Sequence, residues 1–115
     1  MQYMLMLYLD EASFQKADKA TLERRHGAYN AYTEAAKTAG VLVGGDRLQP
    51  SATASTVRLK DGKSAVLDGP YAETKEQFGG YYILELPDLD AALDWAARCP
   101  TADHGTVEVR AIWPM

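Results

Sequence analysis

The chain has 115 residues and a formal net charge of -4, with 12 Lys and Arg against 16 Asp and Glu. A hydrophobic share of 47% and a charged share of 24% exclude a disordered chain, and the length fits one domain over residues 1–115, with one sheet and one layer of helices. The acidic balance argues against a nucleic-acid partner, no apolar run approaches the roughly 20 residues of a membrane span, and the lone Cys99 leaves no internal disulfide and fits a reducing, cytoplasmic compartment.

The opening MQYMLMLYLDEASF has neither the basic start nor the small-residue cleavage site of a signal peptide. Gln2 to Leu9 is predicted as the first strand, with Tyr3, Leu5, Leu7 and Leu9 on one face and Met4, Met6 and Tyr8 on the other. Both faces are apolar, so the strand demands cover on both sides. Asp10 to Ala17 is polar and reads as a connection. A helix is expected from Asp18 to Ala39, with Asp18 as N-cap and Gly40 past its end. Leu22, His26, Tyr29, Tyr32 (or Thr33) and Ala36 recur along one face of it. Val41 to Val43 begin a strand, and Gly44-Gly45 mark either a bulge or a place where a ligand approaches the backbone closely.

Leu48 to Ser55 is a loop punctuated by Pro50. Thr56–Lys60 and Ser64–Asp68 flank Asp61-Gly62, a hairpin signal. Asp68-Gly69-Pro70 breaks the second of these strands, and the spacing of Thr74 and Gln77 matches a capping box, which predicts a short helical turn from Thr74. Tyr81–Leu86 is a strand ended by Pro87. Asp88 caps a helix to about Arg98, with Leu89, Ala92, Leu93 and Ala96 on one face, and Thr106–Trp113 is the last strand. The order β-α-β, hairpin, β-α-β gives an α+β fold: a ferredoxin-like antiparallel sheet with two helices on one face and an inserted β-hairpin. Two helices cover only one face of such a sheet. The two-faced first strand therefore predicts a homodimer in which two sheets pack face to face.

The segment richest in chemistry is Asp68–Tyr82, DGPYAETKEQFGGYY. Pro70 stiffens the turn, and a helix starting at Thr74 would place Asp68 and Tyr71 near its anion-favouring end, with Lys75 adding a charge contact. The structural reading is a turn with solvated charges. His26 sits on the helical stripe beside Arg24 and Arg25 and suits proton transfer, although a single His on a helix face is more often packed or solvent-edge. His104 lies in the loop TADHG and is expected to be exposed. Of the mid-strand charges, Glu85, Glu108 and Arg110 fit structural pairing, while Arg58 and Asp46 are the better cleft candidates. Trp95 and Trp113 read as packing or dimer-contact residues. No phosphate-binding Gly-rich loop, HExxH, CxxC or nucleophile-elbow motif occurs, and no metal site is expected.

The segment DGPYAETKEQFGGYY resembles the YCII-related family, and within it the branch named for Asp-Gly-Pro-Phe (DGPF). The resemblance extends over essentially the whole chain through YMLMLYLDE, AGVLVGGDRLQP, TVRLKDGK, LPDLDAALDWAARCP and GTVEVRAIW. Tyr71 stands where the branch carries Phe, adding a hydroxyl, and Phe78 stands where it carries Leu. The resemblance implies a dimeric α+β barrel in a bacterial cytoplasm. It implies a cleft lined by a His–Asp pair whose His lies eleven residues before the Gly that ends the first helix. Counting back from Gly40 reaches Tyr29, so that His is not matched, and His26, a turn earlier on the same face, is the candidate substitute. It also implies association with extracytoplasmic-function sigma factors, though the chain has no sigma-like segment.

The candidate catalytic residues are thus Asp68, Tyr71 and His26, and the candidate ligand-binding residues are Asp46, Arg58, Thr74, Lys75 and Tyr29, with no cofactor and no metal. The expected function is binding or acid–base conversion of a small molecule in a cleft, without a cofactor. The first alternative is a non-catalytic regulatory or interaction module beside a sigma factor. The second is a purely structural DGPF segment that holds the hairpin against the dimer interface.

Overall fold

The computed structural model describes residues 1–114. In chain order the elements are β1 (Gln2–Leu9), α1 (Glu11–Lys16), α2 (Lys19–Thr38), β2 (Leu42–Arg47), a 3-10 turn (Ser51–Thr53), β3 (Ser55–Lys60), β4 (Lys63–Asp68), β5 (Gln77–Glu85), α3 (Leu89–Arg98), α4 (Thr101–His104) and β6 (Thr106–Ala111). Four strands form an antiparallel sheet in the order β2-β5-β1-β6. With α2 and α3 as crossovers this is the ferredoxin-like arrangement that the order of elements predicts. β3 and β4 pair only with each other, as a separate hairpin. Its turn takes positive φ at both Asp61 (52°) and Gly62 (77°), the conformation that matches strand twist in a two-residue loop.

The alternation of β1 sets the layers. Tyr3, Leu5 and Leu7 are buried, and with Tyr82 and Leu84 of β5 they meet the helices. Helix α3 contributes Ala92, Trp95 and Ala96, and α2 contributes Tyr32 and Ala36. The Tyr32 ring lies edge-on to Tyr82 (5.3 Å) and to Trp95 (5.7 Å), and its hydroxyl donates to the Trp95 carbonyl at 2.7 Å. Met4, Met6 and Tyr8 point the other way and are half-buried, alongside Tyr81 and Ile83 of β5. Among the described residues no helix covers that face.

Several expectations need correction. Asp10–Ala17 is not an irregular connection: Asp10 caps α1, its Oδ1 accepting from the backbone N–H of Ala12 and Ser13. The TADHG segment is largely helical (α4), and His104 is half-buried rather than exposed. No helix starts at Thr74. The chain stays irregular until β5 begins at Gln77, the Gln77 side chain donates back to the Thr74 carbonyl, and the Thr74 hydroxyl bonds the Glu76 carbonyl. β2 runs through both glycines to Arg47. Its register slips between Leu42 and Gly44, so the glycines do accompany a bulge. A side chain at Gly45 would put its Cβ 2.6 Å from the Tyr81 carbonyl oxygen, so only glycine lets β2 pair with β5 there. Trp95 packs in the core, whereas Trp113 is exposed. Glu85 pairs with the N-terminal ammonium at 3.3 Å.

Leu84 is fully buried at the centre of this core. Leu84→Ala should cost about 2–5 kcal/mol of stability in urea unfolding, while Leu93→Ala on the exposed face of α3 should stay within about 0.5 kcal/mol. Equal losses at the two sites would contradict the assignment of the core.

Candidate functional site

Helix α2 buries side chains only in its last two turns, at Tyr32 and Ala36. Its first half carries polar residues over the β2–β5 edge of the sheet, and a cavity of about 780 Å³ lies beneath it. From α2 come His26, Tyr29, Asn30 and Thr33, and from α1 come Glu11 and Phe14. The floor is Leu7, Leu9, Leu42, Tyr82 and the glycine backbone of β2 and β5, and the rim is Asp46, Arg47, Leu48 and Pro50. The volume falls within the range of small-molecule sites, and the lining has their character, apolar and aromatic with a few convergent polar groups.

The polar groups are organised by hydrogen bonds. Arg47 Nη1 lies 3.3 Å from His26 Nε2. Guanidinium only donates, so Nε2 is the acceptor and the ring proton is on Nδ1. The Thr33 hydroxyl donates to the Tyr29 carbonyl (2.9 Å), which leaves the Tyr82 hydroxyl as donor in its 2.9 Å bond to Thr33 Oγ1. Tyr29 points its hydroxyl at Thr101 Oγ1 (2.5 Å) and His104 Nε2 (3.4 Å), tying α2 to α4. Burial raises the phenols of Tyr29 and Tyr82, so both are protonated donors at neutral pH. Asp46 accepts from the Tyr81 hydroxyl at 2.9 Å, and this bond holds the Tyr81 phenol above its ordinary value. Glu11 accepts from both the backbone N–H and the hydroxyl of Ser51, each at 2.8 Å, closing α1 onto the rim. Phe14 stands between two guanidiniums, Arg25 at 5.2 Å and Arg47 at 5.6 Å from the ring centre.

Of the residues singled out in the sequence, the cavity brings together His26, Tyr29 and Asp46. Asp68 and Thr74 are exposed and do not line it. Tyr71 is exposed under the Arg58 guanidinium, 5.6 Å from its ring centre, and both lie off the cavity. Lys75 lines a smaller hollow of about 290 Å³ with Asp10, Arg25, Glu76 and His104. Sequence reasoning missed Arg47, Phe14, Glu11, Tyr82 and Thr33. The signal available was local: Phe14 is the one large apolar residue in a polar stretch, and Arg47 directly follows Gly-Gly-Asp. Among the described residues no cluster of three or more metal-ligating side chains occurs, and no helix is long and apolar enough to cross a membrane.

Fold and cavity define a ferredoxin-like α+β protein with a pocket between its first long helix and the edge of its sheet. The chain belongs to the YCII-related domain family, whose model matches residues 1–115. It is similar to the uncharacterized protein R00369 of Rhizobium meliloti (strain 1021), with 36% identity covering 96% of this chain and 90% of that one. In structure it is similar to 5-chloro-2-hydroxyhydroquinone dehydrochlorinase (TftG) from Burkholderia phenoliruptrix AC1100, solved in complex with 2,5-dihydroxybenzoquinone. That match has a TM-score of 0.57 at 16% identity and covers 98% of this chain and 94% of the other, a likeness of fold.

His104 provides a test of the Tyr29 cluster. Burial, and then the nearby Arg25, hold its imidazole below the ordinary histidine value, with Asp103 opposing. The unfolded chain therefore takes up this proton at a higher pH than the folded one, near about 6.5. Stability is then lost as the pH falls from there through the depressed folded value. The thermal midpoint should drop between about pH 7 and pH 5, and His104→Gln should flatten that part of the slope. Parallel slopes in the two proteins would contradict this account.

Proposed function

We propose that the protein binds a small, flat organic molecule in the cavity under α2 and acts on it by proton transfer, without a cofactor, as a homodimer. The observation that carries the reading is the cavity itself: about 780 Å³, apolar and aromatic on its floor, with His26, Tyr29 and Arg47 at its polar side. Phe14, Tyr29 and Tyr82 suit a planar ring. Arg47 supplies a fixed positive charge for a phenolate or carboxylate. His26 Nε2, released from Arg47 when the guanidinium turns to an anionic ligand, is the proton acceptor. Tyr29, its hydroxyl held by Thr101 and His104, offers its ring to the ligand, and the proton that His26 takes up returns to the ligand from the same imidazole. Asp46, bonded to Tyr81, shapes the rim. The structural relative TftG, an enzyme crystallised with a quinone, supports a ring compound as the type of ligand.

The homodimer rests on the uncovered sheet face. Met4, Met6, Tyr8, Tyr81 and Ile83 form an apolar patch that no element among the described residues covers, and a second sheet packed on it would bury it.

Thermal-shift titration with hydroquinones, catechols and aromatic carboxylates tests the ligand reading. At least one class should raise the melting temperature, with about 2.7 kcal/mol of stabilisation at a hundredfold excess over Kd. His26→Ala and Arg47→Ala should weaken that ligand at least about tenfold, and Asp68→Ala should leave it unchanged. A panel with no shift, or losses confined to Asp68→Ala, would remove the cavity as the site.

A further inference from the structure

The β3–β4 hairpin projects from the body of the molecule, and among the described residues its strands pair only with each other. Of its strand residues only Thr56 is even half-buried. Register places Val57 opposite Val66 and Leu59 opposite Ser64, so these residues share one face. Val57 and Val66 are each 60% exposed and Leu59 is 75% exposed. The other face carries Leu67, Arg58, Lys60 and Lys63. A free two-stranded hairpin is marginal in water, and one with an apolar face left to solvent is also a liability for aggregation.

The whole chain carries the same mark. Its radius of gyration is 16.0 Å, against about 13 Å for a compact chain of this length. Its accessible surface is 8020 Å², whereas a compact monomer of 12.6 kDa exposes about 6,200 Å². The excess of about 1,800 Å² is more than twice the ~800 Å² that each partner gives to a standard interface. We infer that the hairpin is an arm that docks its Val57–Leu59–Val66 face on a second copy of this chain.

A second copy fits for two reasons. The surface left over on one chain, about 1,800 Å², is enough for the two contacts of a dimer, the sheet face and the arm, at about 800 Å² each. A twofold pair also exchanges two arms at once and closes, leaving no apolar face over. The inference rests on the homodimer reading and adds to it a second contact away from the sheet.

Sedimentation equilibrium over a concentration series tests it. The wild-type chain should weigh twice 12.6 kDa. Leu59→Lys with Val66→Lys should raise the dimer dissociation constant at least about tenfold with an unchanged circular dichroism spectrum, and Leu59→Ile should restore it. If the wild type dimerises and the arm variants dimerise equally well, the arm is overturned and the sheet-to-sheet dimer stands. A wild-type monomer overturns both. Masses that climb past the dimer also overturn the arm, since they report an open-ended contact and not a closed pair.

Discussion

Helix α2 is pinned at Tyr32. The ring is wedged between Tyr82 of the sheet and Trp95 of α3, and the hydroxyl donates to a carbonyl inside α3. One side chain thus joins both helices to the sheet, and Ala36 a turn later lets the helix come close. Nothing in the first half of α2 is buried, so the helix leans on one end. The space under the other end is the cavity. A larger apolar residue at His26 or Asn30 would fill that space and make the helix an ordinary core element, at the cost of the polar groups that α2 gives the pocket.

Much of this was readable in the chain. The alternation of β1 gave both the buried face and the uncovered one, because period-two patterning reports burial directly. Asp61-Gly62 specified the hairpin through the positive φ that its turn needs. The misses have physical causes. Thr74–Gln77 has the spacing of a capping box, but Gln77 is the first residue of β5 and spends its side chain elsewhere: it donates to Thr74 and accepts from the backbone of Glu11. Tertiary pairing overrode a local signal. Asp10 did cap a helix, but α1 has no buried residue, so it lacks the apolar stripe by which helices are read.

The candidate site was less legible than the fold. His26 and Tyr29 were visible because helical periodicity puts them on one face. Arg47, Glu11 and Phe14 were not, because their roles depend on partners about twenty to forty positions away: Arg47 on His26, Glu11 on Ser51, Phe14 on Arg47. No local pattern encodes such contacts. The DGPY segment drew attention through its density of functional groups, yet Asp68 and Tyr71 lie at the base of the arm and off the cavity.

Phe14 and Leu9 border both the large cavity and the smaller hollow beside Lys75. Phe14 thus faces both spaces, together with Leu9 of β1, and it hangs on a six-residue helix without a buried side chain. The fastenings of that helix are Glu11 to Ser51 and to Gln77, and the two guanidiniums against Phe14 itself. Such an element opens locally at a small fraction of the free energy of global unfolding. Amide hydrogen exchange in Glu11–Lys16 should therefore outpace exchange in the paired strands β1 and β5, so the wall of the cavity that α1 supplies is its softest part.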